Sequence, residues 1–160
     1  MSSSDDSSQP EGAVQARFAV LFQSFIQSSH TRASSEAVGF LLGRLQPRCG
    51  ARLICCDRST MAYGWGLTAQ GCAISVSASA GDEPFDGAVW SLDEVGNPPD
   101  AGLMARLGER ILPGGRLVID AGHERLINGW GHFPVIATLT PLGVARAPDS
   151  RRLYVWLRED

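Results

Sequence analysis

The sequence predicts an α/β fold: a mostly parallel sheet with a C-terminal antiparallel hairpin, preceded by two N-terminal helices. Three observations carry that expectation. Apolar runs with helical spacing alternate with short runs rich in β-formers, and such alternation requires crossover connections and a parallel sheet. The stretch ERILPGGRLVID, residues 109–120, sets Pro-Gly-Gly between a charged, Leu-rich run and a clean aliphatic run. A helix that must stop, reverse and feed a buried strand needs that punctuation. Residues 133–143 and 151–159 then read as two strands joined by a polar turn, which supplies the hairpin.

Residues 1–12, MSSSDDSSQPEG, are polar and low in complexity and are expected to form a disordered tail, leaving 13–160 as a single domain. In residues 13–29, Val14, Phe18, Leu21, Phe22, Phe25 and Ile26 recur at three and four, the mark of an amphipathic helix. A second helix follows, capped by Ser34 or Ser35, with Val38, Leu41, Leu42 and Leu45 on its apolar face and Pro47 as its stop. Residues 51–56, ARLICC, form a short apolar run between turn signals, so a buried strand. A helix is expected from a Ser59 or Thr60 cap to Gly71, weakened by Gly64 and Gly66. CAISVSAS, residues 72–79, is the second strand and FDGAVWSL, 85–92, the third. After a loop, Asp100 caps a helix running through Ile111, and RLVIDA, 116–121, is the fourth strand. HERLINGWG, 123–131, is at most a short helix before the hairpin.

Composition narrows the function classes. A chain of 160 residues, 44% hydrophobic, buries a real core in one domain. A net charge of −3 gives no basic field for nucleic acid. No apolar run is long enough to cross a bilayer, and no basic-then-apolar start suggests a secretory leader. All 14 basic residues are Arg, which removes any Lys nucleophile or Schiff base. Cys49, Cys55, Cys56 and Cys72 match no disulfide scaffold, so reduced thiols and a cytoplasmic setting are expected.

FDGAVWSL followed by LMARLGERILPGGRLVID resembles the second half of the class I S-adenosylmethionine-dependent methyltransferases. In that family Phe-Asp opens the fourth strand and a helix ends in Leu-x-Pro-Gly-Gly before the fifth. INGWGHFPVIATLTPLGVARAPDSRRLYVWLRE is similar to the family's last two strands. The resemblance spans residues 51–159 in outline and is most specific over 85–120. It implies a Rossmann-like methyltransferase sandwich, here a reduced one, because the chain passes from CAISVSAS to Phe85 without room for the usual third strand and helix.

The first half departs from that pattern. The family's first strand runs into a glycine-rich loop on which the cofactor lies, and an acid ends its second strand to hold the ribose. Here Cys56, Asp57, Arg58, Ser59 and Thr60 stand where the glycines belong, and SVSASAG carries no acid, Ser77 and Ser79 being its polar candidates. A second register makes RLICCD the second strand, with Asp57 as the ribose acid and the first strand near SSEAVGFLLG. If S-adenosylmethionine binds, Cys56, Asp57, Ser59, Thr60 and Ser77 are the expected contacts. With the glycines and the acid both lost, the resemblance points to a degenerate, non-catalytic domain that binds a protein partner or forms a homodimer.

Two catalytic readings stand beside it. In an active methyltransferase acting on a small molecule, Asp93, Asp120 or His123 faces the substrate; Asp120 and His123 follow the fourth strand, at the edge where α/β sheets hold ligands. In a hydrolase-like enzyme, Cys55 or Cys56 is the nucleophile with a His partner. Apolar neighbours raise a thiol's pKa, so buried structural thiols are the plainer account. His123 and His132 match no compact metal spacing, and no metal is expected. Asn97-Pro98-Pro99-Asp100 lacks the aromatic that a base- or glutamine-modifying site would add, and reads as a helix start.

Overall fold

The computed structural model describes residues 33–56, 60–76, 83–91, 101–122 and 135–160. The tail, the helix expected over 13–29, the loop 92–100 and the short helix expected over 123–131 lie outside those residues, as does the domain boundary at residue 13.

Helix α1, Ser35–Leu45, starts as the sequence predicts: the Ser34 hydroxyl accepts a hydrogen bond from the Ala37 N–H at 3.1 Å. It ends at Gln46, held left-handed at φ 47°, just before Pro47. Ala37, Val38, Leu41 and Leu45 are buried, while Leu42, expected among them, is half-exposed. Strand β1, Arg52–Cys55, follows, then helix α2, Met61–Ala69, and strand β2, Ala73–Val76. Strand β3, Phe85–Ser91, leads to helix α3, Ala101–Arg110, and strand β4, Ile111–Asp120. Strands β5, Thr140–Arg146, and β6, Arg152–Leu157, close the chain.

The six strands form one sheet in the order β2-β1-β3-β4-β6-β5. Strands β2, β1, β3 and β4 are parallel, and β6 and β5 join antiparallel. The mostly parallel α/β sheet with a terminal hairpin is therefore the fold the sequence predicts. The alternative register fails, because SSEAVGFLLG is helix α1 and not a first strand.

Neighbouring strand residues face opposite sides, and this sorts the helices. Asp120 meets Tyr63 of α2, and Arg116 donates from Nη1 to the Arg44 carbonyl of α1 at 2.8 Å, so both helices cover that face. Leu117 and Ile119 point the other way, into a core with Trp90, Trp156 and Met104 and Leu107 of α3.

Two segments differ from the sequence expectation. The helix ends at Arg110, and Ile111 already pairs with Phe85, so Pro-Gly-Gly lies inside β4 as an excursion between the pairs Phe85–Ile111 and Gly87–Arg116. Gly114 sits at φ +82°, and a Cβ on Gly115 would come within 2.4 Å of the Asp86 carbonyl oxygen and 2.9 Å of that of Leu112. Gly115→Ala is expected to lower stability by about 1–2 kcal/mol, because the half-exposed excursion yields part of the space; urea unfolding reads this, and an unchanged midpoint refutes the close approach.

The strand expected over 133–143 begins only at Thr140. Ile136 and Leu139 are instead the ends of a tight turn, Leu139 N–H donating to the Ile136 carbonyl at 3.0 Å. Both side chains pack on α3 at Gly108, where a Cβ would meet them at 3.2 Å and Thr138 Oγ1 at 2.4 Å. Docking on the helix claims these apolar residues, and the strand is displaced towards Arg146.

Candidate functional site

The chain leaves β1 towards β2 on one side and returns to β3 on the other, so β1 and β3 flank a switch in winding direction. Open α/β sheets hold ligands in the crevice outside the carboxyl ends of such strands. Cys56 stands at the end of β1, half-buried, its N–H donating to the Val89 carbonyl of β3 at 3.0 Å. Ser91 ends β3 and pairs in register with Asp120, which ends β4.

Helix α2 reaches over these strand ends. Thr60 and Tyr63 are three residues apart and share one helix face. Thr60 does not cap its helix; its hydroxyl oxygen accepts the Ser91 N–H at 2.8 Å and the residue is fully buried. Tyr63, 2% exposed, donates its hydroxyl to Asp120 Oδ2. The first turn of α2 is thereby bonded to the ends of both β3 and β4.

Asp120 is also fully buried, and its carboxylate is completely engaged. Oδ1 accepts the Gly122 N–H at 2.8 Å; Oδ2 takes the Tyr63 hydroxyl and Arg151 Nη1, the latter at 2.7 Å. Arg151 comes from the β5–β6 hairpin, where Asp149 holds its Nε at 2.6 Å and its backbone N–H at 3.2 Å. The guanidinium lies over the Tyr63 ring at 5.4 Å from the centroid, and its Nη1 donates to the Tyr63 oxygen. Removing a carboxylate from water costs several kcal/mol unless it is paired and hydrogen-bonded; here it is both.

The electrostatics follow from this arrangement. Burial pushes the Tyr63 phenol far above its ordinary value, and the Asp120 charge and hydrogen bond push it further. For Arg151 burial pulls downward, but Asp120, Tyr63 and Asp149 outweigh it and the net shift is upward. The cluster holds a neutral tyrosine, a cationic arginine and two carboxylates.

Of the residues singled out in the sequence, Cys56, Thr60 and Asp120 lie along this edge of the sheet. Asp57, Ser59, Ser77, Asp93 and His123 fall outside the described residues. Tyr63 and Arg151 were not anticipated. Tyr63 had a usable signal, its spacing from Thr60; Arg151 had none, since only the hairpin register brings it to Asp120. Among the described residues, no three His, Cys, Asp or Glu side chains converge as a metal site, and no helix is long and apolar enough to cross a membrane.

No family model matches the chain, and no curated protein matches it in sequence. Solved structures do resemble it. A chain in the complex between the Haloferax volcanii Trm112 methyltransferase activator and a methyltransferase candidate aligns with TM-score 0.54 at 10% identity, over 78% of this chain and 90% of that one. The methyltransferase candidate yhhF of Escherichia coli aligns at 0.52 with 12% identity, over 82% and 89%. A methyltransferase from Pyrococcus furiosus aligns at 0.50 with 9% identity, over 91% and 99%. The chain thus has the fold of the class I S-adenosylmethionine-dependent methyltransferases.

Proposed function

We propose that this methyltransferase-like fold serves as a non-catalytic domain that binds a protein partner or regulates one, its cofactor crevice closed by its own helix α2. The supporting observation is the bond between the buried Thr60 hydroxyl and the Ser91 N–H. It spends, inside the protein, a side chain and a backbone donor at the switch point where a ligand would need them. The sequence adds two losses: side chains replace the glycines after β1, and no acid stands in the SVSASAG stretch that begins in β2. The Thr60–Ser91 bond and these two losses weigh against an adenosyl ligand lying against this edge. A methyltransferase fold held by a partner protein has a precedent in the Haloferax complex.

The cofactor titration tests the proposal directly. In calorimetry with S-adenosylmethionine and S-adenosylhomocysteine, no saturable heat is expected up to millimolar ligand. Micromolar affinity overturns the closed-crevice reading and favours an active enzyme in which Cys56, Asp57, Ser59, Thr60 and Ser77 hold the cofactor while Asp93, Asp120 or His123 faces a small substrate. A Cys/His hydrolase is disfavoured by the complete burial of Cys55; rapid alkylation of Cys56 by iodoacetamide at neutral pH would revive it.

A further inference from the structure

The amino-terminal rim of the sheet, opposite the candidate site, brings two cysteines together. Strands β1 and β2 run parallel with Arg52 opposite Ala73, and the Ala73 N–H donates to the Ala51 carbonyl at 2.9 Å. Cys72 therefore lies beside Ala51. Cys49 is two residues upstream of Ala51, in a turn closed by the Ala51 N–H on the Arg48 carbonyl at 3.0 Å, with Gly50 at φ +71°. Cys49 thus stands two residues from the backbone that borders Cys72, in a turn closed on itself at Ala51.

Neighbouring strands lie ~4.8 Å apart, and a disulfide needs Cα atoms about 4.4–6.8 Å apart. Arg48, Cys49 and Gly50 are all exposed, and nothing lies within 4 Å of where a Gly50 Cβ would stand. No packing around Gly50 opposes a small shift of the turn. The thiols differ in environment: Cys49 is exposed and Cys72 buried. Burial pushes the Cys72 thiol up, and the nearby Cys49 pushes it in the same direction, which is a second sign that the two sit together.

We infer that Cys49 and Cys72 form a reversible oxidation site, closed by a hydroperoxide into a disulfide that staples the turn before β1 to the turn before β2. The exposed Cys49 thiolate attacks the peroxide; its S–O bond forms as the O–O bond breaks, giving a sulfenic acid and, with hydrogen peroxide, water. Cys72 then attacks the Cys49 sulfur. The S–S bond forms, the S–O bond breaks and a second water leaves, so two thiols and one peroxide give one disulfide and two waters. Cys49 reacts first because it is exposed to peroxide, and Cys72, buried at the neighbouring strand start, is the thiol placed to resolve the sulfenic acid. A small dithiol reverses the step. The consequence is a redox-dependent stiffness at the rim: the cross-link closes a loop through β1 and α2, up to the start of β2, and α2 is the helix bonded over the crevice.

Treatment of the full chain with a small excess of hydrogen peroxide, followed by alkylation and non-reducing peptide mapping, tests this. A Cys49–Cys72 cross-linked peptide is expected, with the buried Cys55 alkylated only after unfolding. The melting temperature should rise by about 5 °C or more and return on reduction. Cys49→Ser lies on an exposed turn, so it should fold as the parent does and lose both the cross-link and the thermal shift. Cys49 found as sulfinic acid beside a free Cys72, a Cys49–Cys49 linked dimer, or a Cys55–Cys56 disulfide would each overturn the assignment.

Discussion

Replacing Arg151 by Met is expected to cost about 3–5 kcal/mol of unfolding free energy, among the largest losses any single side chain in this protein would cause. The reason is what the substitution leaves behind. Asp120 is fully buried and its Oδ2 loses the only cation within 4.0 Å among the described residues. The Tyr63 hydroxyl and the Gly122 N–H remain as donors, but neither carries charge. Methionine keeps much of the stem's volume, so the loss reads the charge rather than a cavity. The double variant Asp120→Leu/Arg151→Met removes both charges. It should recover about 2 kcal/mol or more relative to Arg151→Met, the rest being held back by a Tyr63 hydroxyl without its acceptor. Urea unfolding of the parent, both single variants and the double variant gives the coupling directly. Additivity within about 0.5 kcal/mol would mean that the pair is not one unit.

This cluster also marks where sequence reading stops. Local signals were sufficient for most elements. Ser34 and Pro47 bracket α1 because a cap and a breaker act within one turn of chain. The apolar runs of β1, β3 and β4 show continuous burial because their strands are covered on both faces, and such runs need no knowledge of their partners. The Pro-Gly-Gly signal was read correctly as punctuation but placed one step wrong: the chain reverses and pairs before the glycines, because Ile111 finds Phe85 first. Residues 135–139 misled for a related reason. Their composition suits a strand, and only the position of Gly108 on a distant helix turns them into a docked turn.

The site residues divide along the same line. Asp120 was legible from its place at the end of an aliphatic strand, and Thr60 from its place in the loop that should have held glycines. Whether such residues face ligand or face each other is decided by groups far along the chain. Thr60 meets Ser91, Tyr63 meets Asp120, and Arg151 arrives from a hairpin whose register is set by β4. A short polar residue after a first strand is compatible with cofactor contact and with a plug. The bond to Ser91 argues for the plug, and it is the same bond that the calorimetric experiment puts at risk.

Tyr63→Phe gives the second large effect, and its signature lies in pH. At pH 7 the variant loses a hydrogen bond to a buried carboxylate, expected to cost about 2 kcal/mol. Folding raises the Tyr63 pKa, chiefly through burial and then through Asp120. The unfolded tyrosine releases its proton near pH 10 while the folded one keeps it. Above that pH the unfolded state binds one proton fewer, so stability falls with rising pH by about 1.4 kcal/mol per unit on account of this group alone. The stabilisation from Tyr63 is therefore whole below about pH 10 and is lost above it. Phenylalanine has no proton to release, so its curve lacks this component. The gap between parent and variant, constant from pH 7 to 9, should narrow beyond pH 10 and close near about pH 11.5. Urea midpoints at half-unit intervals would trace it. Parallel curves through that range would show that Tyr63 titrates alike in both states, and the buried bond to Asp120 would have to be abandoned together with the anchored helix that rests on it.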